Sequence, residues 1–453
     1  MQINSDSLKI DLYELTMAAA YFQNKVDLRA TFELFCYKSP PERSYFIACG
    51  LEQVVDFVLN LRFREEDVDF IKLHPSFRLI DPKFFEYLKN FRFSGDLWAV
   101  PEGEIFFANE PIVQIEAPII EAQILETYLL SMMHIQSLVA AKASRVVRSA
   151  CSDGKERAVI DFGSRRAHGP EAGVLASRAT YIGGCLGTSN LCAGKRFGIP
   201  TYGTMAHSWV ESFDEEEESF IKYYEVFPEN TVLLIDTYDT IKSVRKVVQL
   251  KKNIKAVRLD SGDLVVLSKK VRSILDKNNL RNVKIIASGS LDEYKIQGLV
   301  KRKAPIDFFG VGTEMVTSGD LPSLDLVYKL VQVKDREGNI KFKAKTSEGK
   351  STVIARKQVF RKYAKNGLFS KDIIGLFSEN CPKNSRPLLG QVIKDGELIK
   401  PLPDITAIRN YVKKNLELLP PYCLDLKKGR YLKTEYTETL RKLQWKNVQK
   451  RRF

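Results

Sequence analysis

The sequence predicts an α/β fold centred on a parallel sheet, and three observations predict it. First, between about residues 158 and 333 short apolar runs alternate with segments of helical spacing, the pattern of parallel strands joined by crossover helices. Second, six such runs follow one another: Ala158–Ile160, Pro200–Gly203, Thr231–Ile235, Ala256–Leu259, Lys284–Ala287 and Phe308–Val311. Each is too short for a buried helix and each closes on polar residues, which favours a barrel over an open sheet. Third, the texture on either side differs, so this region is expected to be a domain of its own, residues 141–330. Residues 1–140 and 331–453 flank it.

Taken in order, Asp11–Phe22 spaces its apolar residues as a helix does. Ala30–Tyr37, Ser44–Ala48 and Leu97–Val100 read as strands around a helical Leu51–Leu61, an α+β layer. Ile119–Val147, rich in Leu, Met and Ala, reads as one long helix or two. After Leu330 the period breaks into hairpins, with turns at Glu337-Gly338-Asn339 and Asp395-Gly396-Glu397. Leu419-Pro420-Pro421-Tyr422 is a loop, because consecutive prolines cannot continue a helix. Glu215–Glu218 reads as an acidic helix face.

At 453 residues with 44% hydrophobic side chains the chain can bury large cores in two or three domains, which excludes disorder. The net charge of +14 points to anionic partners, either phosphorylated small molecules or nucleic acid. Much of the excess lies in the tail, at Lys427-Lys428, Arg441-Lys442 and Lys450-Arg451-Arg452, and no recognition module accompanies it, so nucleic acid is not expected. Seven scattered cysteines without a Cys-x-x-Cys pair suggest neither a zinc knuckle nor a disulfide framework. Reduced thiols and a start lacking a basic-then-apolar leader fit the cytoplasm. No apolar run approaches membrane-spanning length, so no membrane association is expected.

The chemistry is expected at the carboxyl ends of the strands. The first runs into Asp161-Phe162-Gly163-Ser164-Arg165-Arg166, where glycine admits close backbone approach and the arginines offer planar forks for phosphate or carboxylate. The second leads to His207, and a lone histidine there is more often structural than chemical; His74 and His134 read as structural. The third ends in Asp236-Thr237-Tyr238-Asp239, whose carboxylates can orient an imidazole or receive a metal, while Asp236 or Thr237 could equally cap a helix. Alternation puts Arg258 and Asp260 of the fourth on one face, suited to a sugar phosphate or to a structural ion pair. The fifth and sixth end in the glycine turns Ser288-Gly289-Ser290 and Gly310-Val311-Gly312-Thr313, anion sites in form.

The motifs DFGSRRAHG, GTMAHSW, LIDTYDT, VRLDSGDL, SGSLDE and FGVGTE, opened by DLYELTMAAAYF, resemble nicotinate phosphoribosyltransferase from about Asp11 to Arg361. Nicotinamide and, more distantly, quinolinate phosphoribosyltransferases are similar. The resemblance implies an irregular α/β barrel with an α+β sandwich domain built from both chain ends, and a homodimer with shared active sites. It implies that nicotinate and phosphoribosyl pyrophosphate give nicotinate mononucleotide and pyrophosphate, with ATP as co-substrate and Mg2+ required. Carried over, Phe162 and the partner subunit's Tyr13 would stack on the pyridine ring. Arg165 would hold phosphate or the nicotinate carboxylate, and His207 would be phosphorylated, its other ring nitrogen held by Asp236. Arg258 and Asp260 would bind phosphate and ribose hydroxyls, Asp260 also facing the developing positive charge. Gly289, Gly312 and Thr313 would cradle the 5′-phosphate. Three departures stand out: Ser208 where many members carry Glu, no Pro-Gly at Ile354-Ala355, and only weak resemblance after Arg361. Nicotinamide as the base and a non-catalytic, nucleic-acid-binding barrel are the rival readings.

Overall fold

The computed structural model describes residues 6–345, 352–426 and 429–450. Ser351, the Lys427-Lys428 pair, and Arg451 and Arg452 of the basic tail lie outside the described residues. The chain divides into two compact units, Met1–Ser137 with Ser323–Phe453, and Leu138–Pro322.

The first unit joins the chain ends through a seven-stranded antiparallel sheet. Its order is Ile340–Phe342, Leu326–Lys334, Arg29–Cys36, Pro111–Pro118, Asp96–Ala99, Gly390–Lys394 and Glu397–Leu398. The central strand Arg29–Cys36 pairs on one side with Leu326–Lys334, in register from Arg29 opposite Lys334 to Cys36 opposite Leu326. A second sheet orders Ser385–Pro387, Lys357–Tyr363, Phe369–Leu376 and Lys433–Tyr436. The two sheets are linked where buried Lys357 meets Glu33 at 2.7 Å and Arg356 meets Glu116 at 2.7 Å. Two sheets with alternating buried faces form the sandwich layers of an α/β fold.

The helix Glu126–Ala150 is the largest in the chain, and its residues divide between the two units. With the preceding turn it makes Ile119–Ala150 long and apolar enough to cross a bilayer by length and composition. That corrects the expectation that no run reaches this length. More than half of the apolar window is buried within the protein, however, as in the core helix of a soluble fold. His134 on this helix accepts the Leu324 N–H at 2.9 Å, and His74 accepts the Ser76 N–H at 3.2 Å, so both histidines are structural.

The second unit holds an all-parallel sheet in the order Gly187–Thr188, Ala158–Asp161, Phe308–Val311, Lys284–Ala287, Ala256–Leu259, Val232–Leu234. Its strands are buried and run in Val, Ile, Leu and Ala because helices cover them; Val159, Leu233, Val257, Ile285 and Phe309 share one core. Five of the six expected strands are present. Pro200–Gly203 is not a strand: Thr201 makes one isolated bridge to Thr188, and Gly187–Thr188 takes the ladder position. Pro200 has no N–H to give a longer ladder. Among the described residues the backbone ladder does not join the Val232–Leu234 edge to the Thr201 side. Instead the edges are tied at the mouth by side chains, Arg258 to Thr204 and His207 to Thr237. Within this unit Glu216 is no mere surface charge: it is buried, accepts the Ser243 hydroxyl at 2.6 Å and pairs with Lys246 at 3.2 Å.

Candidate active site

The carboxyl ends of the parallel strands bring Arg258, Asp260 and Asp236 into one hydrogen-bonded set, with Phe162 and His207 beside it. Arg258 is the hub. Its Nη2 donates to Asp260 Oδ1 at 2.6 Å and its Nε to Ser288 Oγ at 2.8 Å. Nη1 donates to Thr204 Oγ1 at 2.7 Å and to the Met205 carbonyl at 3.4 Å. The guanidinium also lies 5.7 Å from the Phe162 ring centre, a cation–π contact. Four of the five N–H donors of Arg258 are therefore committed within the protein.

Asp260 is fixed on every side. Ser288 donates its hydroxyl to Oδ1 at 2.5 Å, and the Asp260 N–H donates to Asp236 Oδ2 at 2.8 Å. Burial would raise the Asp260 carboxyl, but Ser288, Arg258 and then His207 outweigh it and hold it below the usual aspartate range.

His207 opens a short helix, His207–Glu211, and its ring stays partly exposed. Nδ1 lies 3.1 Å from Thr237 Oγ1, and Nε2 lies 3.9 Å from Asp260 Oδ2. One ring nitrogen is held and the other is presented to the mouth. Asp236 does not hold the imidazole as expected, because its Oδ2 is taken by the Asp260 N–H and by the Ser261 hydroxyl at 2.6 Å. Nor does it cap the next helix, a task done by Asp239 for the Ile241 and Lys242 N–H groups. Asp236 Oδ1 is buried with no partner, an acceptor left open at this site.

The first strand end is built from below by Asp161. That side chain is fully buried and accepts from Gly163 N–H at 2.8 Å, Ser177 at 2.8 Å and Thr188 at 2.7 Å. It anchors the turn and does not open into the mouth. Phe162 packs where Gly310 has no side chain, a Cβ there falling 2.4 Å from the ring. Asn190 Nδ2 donates to Ser164 Oγ at 2.8 Å and steadies the turn from the other side. Arg165 and Arg166 emerge exposed, and among the described residues neither side chain has a partner. They are free cations, whereas Arg258 is a bound one.

The two glycine turns differ. Gly289 has φ +93°, and a Cβ there would stand 1.9 Å from the Asp260 carbonyl oxygen, so only glycine fits. The helix after it, Glu293–Lys301, is capped by the Asp292 side chain on Lys295 N–H. Free N–H donors on this side thus belong to the turn. Gly312 precedes a single helical turn, Thr313–Val316, and Thr313 is exposed. Tyr13 belongs to the chain-end unit, in the first turn of the helix Leu12–Gln23, exposed beside Leu12 and Met17. Burial first, then Glu126 and Glu14, push its hydroxyl well above the usual phenol range.

Family models for nicotinate phosphoribosyltransferase match nearly the whole chain: the N-terminal domain over residues 8–134, the family core over 158–371 and the C-terminal domain over 381–444. The chain belongs to the nicotinate phosphoribosyltransferase family. The C-terminal match corrects the expectation that resemblance fades after Arg361. The chain is 44% identical to nicotinate phosphoribosyltransferase pncB2 of Mycobacterium tuberculosis over 432 residues, covering 94% of this chain and 90% of that one. It is 35% identical to the Bacillus subtilis nicotinate phosphoribosyltransferase, covering 92% and 90%. The structure of human nicotinic acid phosphoribosyltransferase superposes with a TM-score of 0.83 at 26% identity, covering 96% of this chain and 99% of that one.

For a member of this family, sequence reasoning left four hydroxyl residues without a role in the site: Thr204, Thr237, Ser261 and Ser288. Each touches an expected site residue. The available signal was their position, next to the motif residues at strand ends where backbone turns toward ligand.

Proposed function

We propose that the chain transfers the phosphoribosyl group of phosphoribosyl pyrophosphate to nicotinate, and that ATP drives turnover through a phosphohistidine at His207. The observation carrying this reading is the Arg258–Asp260–His207 arrangement at the mouth of the parallel sheet, in a chain of this family. With Nδ1–H donated to Thr237, Nε2 has a lone pair free to attack the γ-phosphorus of ATP. The P–Nε2 bond forms as the P–O bond to ADP breaks, and water later cleaves the P–Nε2 bond, releasing phosphate and restoring the imidazole. Cleavage of the ribose C1–pyrophosphate bond then builds positive charge at C1 and negative charge on the leaving group. Asp260, kept ionised, faces the first. The pyridine nitrogen lone pair forms the new bond to C1.

Phe162 supplies one stacking face for nicotinate and the partner subunit's Tyr13 the other, in a homodimer. Because most donors of Arg258 are committed, anion binding falls to Arg165, joined by Arg166, and to the backbone of the Gly289 and Gly312–Thr313 turns. The donor set suits magnesium: Asp236 Oδ1 is a buried acceptor without a partner and Asp260 stays ionised, and two carboxylates plus phosphate oxygens suffice for this ion. Held by Asp236 and Asp260, it would supply charge neutralisation on the departing pyrophosphate.

The test is release of pyrophosphate and ADP with nicotinate, phosphoribosyl pyrophosphate and ATP, omitting one at a time, with nicotinamide as competitor. His207→Ala should lose ATP stimulation and keep a residual ATP-independent rate. Full ATP stimulation in that variant would remove the phosphohistidine from the mechanism, and equal use of nicotinamide would remove the acid specificity.

A further inference from the structure

The strand ends hold a closed hydrogen-bonded ring that no motif announces. Arg258 Nε–H donates to Ser288 Oγ at 2.8 Å, Ser288 O–H donates to Asp260 Oδ1 at 2.5 Å, and Arg258 Nη2–H donates to the same Oδ1 at 2.6 Å. Ser288 is buried, and its backbone N–H is tied to the Leu259 carbonyl at 2.8 Å, so its hydroxyl is rigidly placed. The single hydroxyl proton is spent on Asp260, which leaves Ser288 nothing to donate to a phosphate. Oδ1 is occupied twice, so the carboxylate cannot rotate freely, and Oδ2 is the oxygen turned toward His207.

We propose that Ser288 is a positioning residue for the transfer reaction: it closes the ring that fixes the Asp260 carboxylate and aims Oδ2 at the mouth. The proposal rests on the reading of Asp260 as a participant in the reaction. Ser288 touches neither of the reacting bonds; it acts through Asp260. The groups facing Asp260 are Arg258 on its own strand, His207 across the mouth and Asp236 beneath its N–H.

The experiment compares Ser288→Ala, Ser288→Cys, Asp260→Asn and the Ser288→Ala/Asp260→Asn double variant in the full-length enzyme, following pyrophosphate release from pH 4 to 9. Ser288→Ala should lower kcat about 10-fold or more with KM for nicotinate nearly unchanged. Ser288→Cys, close in shape and a weak donor, should fall between, and it reads the same split of kcat from KM should the alanine variant fold poorly. In the Asp260→Asn background Ser288→Ala should add little. A disabled Asp260→Asn enzyme alongside a Ser288→Ala enzyme with unchanged kcat overturns the positioning role alone. A fully active Asp260→Asn enzyme overturns the underlying reading and this role with it.

Discussion

Arg361 and Arg258 both sit among carboxylates and aromatic rings, and only Arg258 does so at the open end of a parallel strand. In the chain-end unit Arg361 is fully buried. It binds Asp372 through both oxygens at 2.9 and 2.6 Å, takes Glu104 at 2.7 Å, and lies against Phe369 and Phe107. Glu104 is further held by Arg386 at 2.8 Å and Tyr411 at 2.5 Å. In the central unit Arg258 likewise has a carboxylate and an aromatic ring, with hydroxyls in place of the second carboxylate. It sits at a strand end beside a partly exposed histidine and an unpartnered carboxylate oxygen. The lesson concerns saturation. A charged group whose neighbours are all satisfied and inaccessible holds a fold together, while a group that orients others at a mouth, with acceptors left open nearby, is arranged for a ligand.

The sharpest way to break this comparison is to remove each cation. Arg361→Met should cost about 3–5 kcal/mol of stability, because Glu104 and Asp372 are left buried without their countercharge. Whatever folds should keep its kcat. Arg258→Met should cost no more than about 2 kcal/mol in stability yet lower kcat by about 10²–10³-fold, through loss of Asp260 placement. Urea unfolding and steady-state kinetics on both variants check the pair; an active Arg258→Met enzyme, or an Arg361→Met chain as stable as the parent, would erase the distinction.

The two regions also respond oppositely to pH. Around Arg361, two guanidiniums face three carboxyl groups, and the third, Glu110, is pushed well above the usual carboxylate range by burial and then by Asp372, against the pull of Arg361. A carboxyl raised on folding stabilises fully below its unfolded pKa, and that stability is lost as pH rises through the folded value. Asp260 is lowered, so its contribution is present above the ordinary aspartate range and is lost only in acid. Glu110→Gln, which mimics the protonated form, should therefore flatten the decline in stability as pH rises above the ordinary glutamate range. Parallel unfolding curves for parent and variant would show that Glu110 carries no such proton.

How much of this could be read beforehand follows from sequence distance. The strands Ala256–Leu259, Lys284–Ala287 and Phe308–Val311 have the expected bounds because each is a short, mostly apolar run that closes on polar residues. The pairing of Arg258 with Asp260 is local, two residues apart on one strand face. By contrast, Glu104 meets Arg361 across 257 positions and Gln114 meets the Lys357 carbonyl across 243, and no local pattern marks such partners. The role expected of Asp236 failed for a related reason. A carboxylate at a strand end has several N–H groups within reach, and the nearest, from Asp260 on the adjacent strand, won.

The subtlest contrast lies in the backbone that serves the buried charges. Ala355, at the position where the resemblance calls for Pro-Gly, has φ +66° and is almost wholly buried. Its carbonyl accepts from Lys357 Nζ at 2.9 Å, as does that of Val353, so the left-handed turn is what aims both oxygens at the Lys357–Glu33 pair. An L-residue in that conformation costs about 1–2 kcal/mol. Ala355→Gly relieves this strain but gives up about 0.8 kcal/mol of methyl burial and about 0.4–1 kcal/mol through the freer unfolded chain. The change should leave stability within about 0.5 kcal/mol of the parent, since the terms nearly cancel. Ala30→Gly, at an equally buried position inside the strand Arg29–Cys36, lacks the strain term and should lose about 1–2 kcal/mol. Equal losses at the two positions in urea unfolding would mean that the Ala355 turn stores no strain, and that Lys357 is served by an unstrained loop.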